Sequence, residues 1–128
     1  MRIQYTRPSR KFRVGFKDKV ELTEVAKISL ESDELITFTG AGGVEYDITR
    51  KEWGFYATPS LNSRLPEFHL RPALVKNSRG QWFMLLVEEG HEAEFETYCR
   101  NQELLRAAWL DDEKTLESLE RALCKRKE

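Results

Sequence analysis

The chain has 128 residues, 40% of them hydrophobic and 34% charged, with a formal net charge of −1 at pH 7. That length fits one domain over residues 1–128, able to bury roughly two thirds of its unfolded surface without a metal or a disulfide. The near-neutral balance excludes bulk attraction to nucleic acid or to a membrane surface as the main driver of its interactions. No stretch approaches about eighteen consecutive apolar residues, so no membrane span is expected. MRIQYTRPSRKF lacks the apolar core of a signal peptide. A cytoplasmic protein is the resulting expectation.

The charge is unevenly spread. Residues 1–19 hold Arg2, Arg7, Arg10, Lys11, Arg13, Lys17 and Lys19 against Asp18 alone, whereas from Glu88 onward twelve acidic residues face seven Lys and Arg. Residues 1–10 read as a mobile basic arm. Phe12, Val14 and Phe16 then alternate with Arg13, Gly15 and Lys17, the period of a half-buried strand. Val20 and Leu22 continue that character, and Ala26, Ile28 and Leu30 alternate with Lys27, Ser29 and Glu31. Leu35 to Thr39 is short and rich in β-branched and aromatic residues; Gly40 to Gly43 makes a flexible turn before the alternating Val44, Tyr46 and Ile48. Short alternating segments joined by turn residues predict an antiparallel meander with one face in and one out.

Further on, Ala73 to Lys76 and Gln81 to Glu88 flank Asn77-Ser78-Arg79-Gly80, a hairpin turn with Gly where positive φ is needed. Trp82, Met84 and Leu86 point one way from the second arm and Phe83, Leu85 and Val87 the other, which predicts a central strand covered on both faces. Gly90 to Asn101 is a helix with acidic Glu92 and Glu94 in its first turn and Phe95, Tyr98 and Cys99 as its buried stripe. Leu104 to Leu110 fits either a helix or a strand; the acidic cap that follows favours the strand. Asp111 or Asp112 caps a last helix whose Leu116, Leu119 and Leu123 share a face, and Lys125 to Lys127 suit its negative end. The predicted class is therefore α+β: an antiparallel sheet, built from an N-terminal meander and a central hairpin, covered on one face by C-terminal helices.

Residues 50–72, RKEWGFYATPSLNSRLPEFHLRP, show no regular hydrophobic period. A structureless stretch of that length inside a compact domain is uncommon and is either functional or disordered. Its aromatic content argues against disorder, so residues 50–72 are expected to form a long ordered functional loop. Pro59, Pro66 and Pro72 fix φ and bias the residues before them to extended conformations. Aromatic faces pack on sugars or bases, and Arg forks grip carboxylate or phosphate. Trp53 and Tyr56 would stack on a ligand, Arg64 and Arg71 would hold an anionic group, and Asn62 would orient hydroxyls. The bland alternative is a connection whose aromatics plug the core.

Motifs for catalysis are missing: there is no Gly-x-Ser-x-Gly elbow, no phosphate-binding loop, no His-Glu-x-x-His and no zinc-ligand spacing. This favours a binding module over an enzyme and implies neither cofactor nor metal. His91, among Glu88, Glu89, Glu92 and Glu94, reads as a solvated helix start. His69, between Phe68 and Leu70, is a candidate acid or base, with Asp47 or Glu52 as an opposing carboxylate. Cys99 and Cys124 form no Cys-x-x-Cys pair and read as buried, reduced thiols. The N-terminal cations suggest a phosphate footprint, but Phe12, Val14 and Phe16 belong to the opposite face, expected to be buried; nucleic acid is the weaker partner.

Over Trp53-Gly54-Phe55-Tyr56-Ala57-Thr58-Pro59-Ser60-Leu61-Asn62, Arg64-Leu65, Val75-Lys76-Asn77 and Leu86-Val87-Glu88 the chain resembles a family of small uncharacterised bacterial proteins that accompany surface-polysaccharide biosynthesis genes. The resemblance spans residues 44–112 and leaves out the basic N-terminus. It implies a bacterial cytoplasmic setting and a link to activated sugars or glycosyltransferase machinery. With it, the first expectation is a non-catalytic binding or accessory module that recognises a sugar, a sugar nucleotide or a protein of an envelope-polysaccharide pathway. Site residues would be Trp53, Tyr56, Asn62, Arg64, His69 and Arg71. The alternatives are a small enzyme acting on a phosphorylated sugar through His69, and a nucleic-acid binder.

Overall fold

A computed structural model describes residues 1–15 and 19–124. Its strands are all antiparallel and fall into three sheets, an α+β arrangement. The first is a two-stranded ribbon of β1 (Arg2–Val14) and β2 (Val20–Ser29). The second joins β3 (Leu35–Thr39), β4 (Glu45–Lys51) and β5 (Gly54–Tyr56) in chain order. The third orders β6 (Leu70–Asn77), β7 (Trp82–Glu88) and β8 (Leu104–Trp109) as β7-β6-β8. Helices α1 (Arg64–Glu67), α2 (Glu92–Gln102) and α3 (Glu113–Leu123) complete the fold. The meander is thus divided: β2 and β3 belong to different sheets.

Residues 2–10 are not an arm without structure but the first half of β1, paired from Arg2↔Ser29 to Arg10↔Glu24. Ile3 opposite Ile28 and Tyr5 opposite Ala26 supply the cross-strand contacts that stabilise an antiparallel pair. The pattern is hard to read in the sequence because Thr6, Arg7, Pro8 and Ser9 form a bulge that interrupts the alternation. Along regular β2, Val20, Leu22, Ala26 and Ile28 share one face, opposite Val14, Phe12, Tyr5 and Ile3. That face was expected to be buried. Instead Phe12 and Val14 are 38% and 39% exposed, because among the described residues no other layer covers the ribbon. Phe16 lies outside the described residues.

The core lies in the third sheet. Ala73, Val75 and Val87 pack against Phe95 and Cys99 of α2, with Leu85, Leu104 and Trp109 around them. Here the central strand is β6, and β7 is an edge; Trp82, Phe83 and Met84 are exposed. The two-faced apolar pattern of β7 misleads because β8, from far along the chain, pairs with β6 and takes the central position from it. Gly80 closes the β6–β7 hairpin with φ 79°, where an L side chain would be strained. Leu65, fully buried, seats the single turn of α1 on β6.

Helix α2 places Phe95 and Cys99 inward, but Tyr98 is exposed. It ends at Glu103, whose φ of 54° makes a left-handed cap. Asp112 caps α3 by accepting from the Thr115 amide at 3.0 Å. Yet α3 buries no residue, and Leu123 is among the most exposed apolar side chains. Among the C-terminal helices it is α2 that packs on the core residues of the sheet. Lys125 to Lys127 lie outside the described residues.

Candidate functional site

The stretch from Arg50 to Pro72 is not one irregular loop. It contains the end of β4, all of β5, the α1 turn and the start of β6. A three-residue strand and a one-turn helix are too short to leave a hydrophobic period, which is why the sequence hides them. These pieces send the expected site residues to four separate places.

The first place is the β4–β5 hairpin. Arg50 pairs with Phe55 and Lys51 with Gly54, leaving Glu52 and Trp53 as the turn. Gly54 has φ +150°. The Arg50 guanidinium donates to the Lys51 carbonyl at 2.6 Å and to the Gly54 carbonyl at 2.7 Å, so it clamps the turn. It also lies 5.0 Å from the Phe55 ring centroid. Trp53, Phe55 and Tyr56 are 71%, 56% and 58% exposed. These aromatics do not plug the core. Phe55 was not among the expected site residues; its register opposite Arg50 emerges only once β5 is seen as a strand.

The second place is the α1 turn. Arg64 Nε donates to Asp47 Oδ2 at 3.0 Å, and its guanidinium lies 4.6 Å from the Phe68 ring centroid. Thr37 Oγ1 donates to the other Asp47 oxygen at 2.7 Å. The hydroxyl of Thr37, followed by the Arg64 cation, holds the Asp47 carboxyl below its ordinary range despite partial burial. Asn62 Nδ2 donates to Glu113 Oε1 at 2.9 Å, tying the segment to α3.

Arg71 occupies the third. Its Nε donates to Asp111 Oδ2 at 2.9 Å and Nη2 to Oδ1 at 3.3 Å, while Nη1 reaches Glu92 at 3.4 Å. The guanidinium stacks 3.9 Å from the Trp109 ring centroid. Hydrogen bonding to Asp111 raises its pKa further above the usual arginine range, against the opposing effect of burial. Two carboxylates and an aromatic face already satisfy this fork. Its role is to fasten β6 to β8 and α2; Trp109 in β8 and Asp111 just after it become its partners only through the pairing of β8 with β6, which no local pattern reports.

His69 stands alone in the fourth. It follows α1 with φ 67°, in the left-handed region that a helix end more often fills with Gly or Asn. Its carbonyl accepts from the Glu89 amide at 2.8 Å. It lines a cavity of about 270 Å³ with Ala41, Gly42, Val44, Glu88, Glu89 and His91. The carboxylates near it are therefore Glu88 and Glu89. Asp47 is held by Thr37 and Arg64, and Glu52 sits in the β4–β5 turn beside Trp53. His91, exposed at the start of α2, contacts Glu94 through Nδ1.

Among the described residues no group of three or more His, Cys, Asp or Glu is placed to hold a metal ion. Cys99 is buried and burial pushes its thiol pKa up; Cys124, expected to be buried, is exposed at the end of α3, a helix with no buried residue. No helix is long and apolar enough to cross a membrane among the described residues. No protein-family model, curated protein or solved structure matches the chain.

Proposed function

We propose that this chain is a non-catalytic binding or accessory module whose recognition surface is the β4–β5 hairpin, with Trp53, Phe55 and Tyr56 offered to the apolar face of a saccharide. One observation carries this reading: Trp53 in the turn and Phe55 and Tyr56 on the strand after it stand more than half exposed on a hairpin that Arg50 clamps. Exposed aromatic side chains on a preorganised support are characteristic of recognition surfaces. Arg64 and Arg71, expected to hold an anion, are already bound by Asp47 and Asp111. That favours a neutral sugar unit, or a protein of an envelope-polysaccharide pathway carrying one, over a sugar nucleotide. The resemblance to proteins that accompany surface-polysaccharide genes points the same way.

The enzyme reading has less support, since Asp47 and Glu52 are engaged or placed elsewhere and leave His69 without its expected partner. Nucleic-acid binding is also less favoured. Lys11 and Arg13 fall on the face of the ribbon opposite Tyr5 and Phe12, and Arg10, on the aromatic face, already stacks on Phe12 and pairs with Glu24. Titration of neutral oligosaccharides and nucleotide-sugars, followed by Trp fluorescence and by amide chemical shifts, tests the proposal. The Trp53→Ala variant should keep its melting temperature and lose about tenfold or more in affinity, as expected for a stacking aromatic at the centre of a site. If no saccharide perturbs the Trp53, Phe55 or Tyr56 resonances, the reading fails.

A further inference from the structure

Residues 1–29 carry eight Lys and Arg against three Asp and Glu, while residues 30–128 carry thirteen against nineteen. The chain is therefore a basic ribbon joined to an acidic body. One face of the ribbon is apolar on both sides of the Arg10–Glu24 ion pair, and Phe12, Val14, Val20 and Leu22 on it are each about two fifths exposed. An isolated two-stranded antiparallel pair is at best marginally stable in water, and an uncovered apolar face of this extent marks an interaction surface.

The body offers a matching surface. The outer edge of β7 has no strand partner among the described residues, so its backbone groups are open to a further strand. Between that edge and α2 runs a groove of about 460 Å³ lined by Leu85, Val87, Phe95 and Tyr98, with the carboxylates of Glu88 and Glu94 beside it. A second cavity of about 280 Å³ shares Leu85 and Tyr98 and reaches Val14 and Gly15, so the groove continues up to the end of the chain's own ribbon.

We infer that the β7 edge and the α2 groove receive the β1–β2 ribbon of a second copy of this chain. Strand addition joins an open edge to an extended segment through main-chain hydrogen bonds, and alternate side chains fill the pockets beside it. The ribbon supplies what this groove asks for: apolar side chains with the cations Arg7 and Arg10 beside them, against an acidic rim. A second copy brings both halves, and their opposite charges favour ribbon on body over ribbon on ribbon. This surface is separate from the β4–β5 hairpin.

The test is sedimentation equilibrium of the full chain and of two variants at exposed positions, Leu22→Lys on the ribbon and Tyr98→Lys in the groove. Circular dichroism and thermal melting verify the fold of each. The wild-type chain should self-associate, and each variant alone should weaken association by about tenfold or more, as loss of a buried contact in a small interface does. Mixing the two variants should restore part of it, because one intact ribbon then meets one intact groove. A wild-type chain that stays monomeric to about 100 µM, a concentration reached only by weak specific complexes, would overturn the inference. So would association that neither variant disturbs, or variants that fail to complement each other.

Discussion

Replacing Arg71 by Ala separates a structural fork from a ligand-binding one. The guanidinium makes two hydrogen bonds to Asp111, whose side chain is only 14% exposed, and stacks on Trp109. Removing a charged hydrogen-bond partner costs roughly 1.5 to 3 kcal/mol, and the lost cation–aromatic contact adds about 0.5 to 1 kcal/mol. The side chain of Arg71 is itself 28% exposed, so solvent screening places the total in the lower half of that range, at about 2 to 3 kcal/mol. For a chain of 128 residues each kcal/mol shifts Tm by about 3 to 5 °C, so Arg71→Ala should melt about 6 to 15 °C below the parent. Arg71→Lys keeps the charge without the planar fork and should recover only part of the loss. Differential scanning calorimetry at low and high salt provides the measurement. A variant that melts within about 2 °C of the parent would refute the role of Arg71 as a fastening and return it to the pool of free anion ligands.

Other outcomes follow from the same structure. Val75→Asp, in the central strand, should abolish folding by burying an unpaired carboxylate, whereas Trp82→Gln on the edge should change stability by no more than about 0.5 kcal/mol in urea unfolding. The folded-state pKa of Asp47 lies below its unfolded value of about 3.9, so its contribution is complete above that pH and disappears as pH falls through the lower, folded value. Asp47→Asn should therefore show less loss of stability than the parent as the pH is lowered below about 4. Cys124 should react with a thiol reagent within the mixing time at neutral pH, while Cys99 should react only as fast as the chain opens; equal rates would contradict the burial of Cys99.

Much of this fold is legible from local pattern. β3, the β6–β7 hairpin with Gly80 at its positive-φ corner, α2 and the Asp112 cap of α3 all follow from alternation, helical spacing or turn chemistry, which are properties of a few neighbouring residues. The strand at Leu104–Trp109 was also readable, because an acidic cap follows it at once. The tertiary structure alone decided which strand is central. β7 looks buried by its own sequence, yet β8 pairs with β6, and no local rule reports which of two apolar strands a distant third will choose. It also decided the fate of the site residues. Arg64 and Arg71 look equally free in the sequence, but Asp47 and Asp111, seventeen and forty residues away, neutralise them. Trp53 and Tyr56 remain exposed because they belong to the second sheet, whereas the core is built on the third. Local sequence fixes backbone conformation through sterics and hydrogen bonding nearby; burial and ion pairing depend on which surfaces meet, and that is settled only when the sheets come together.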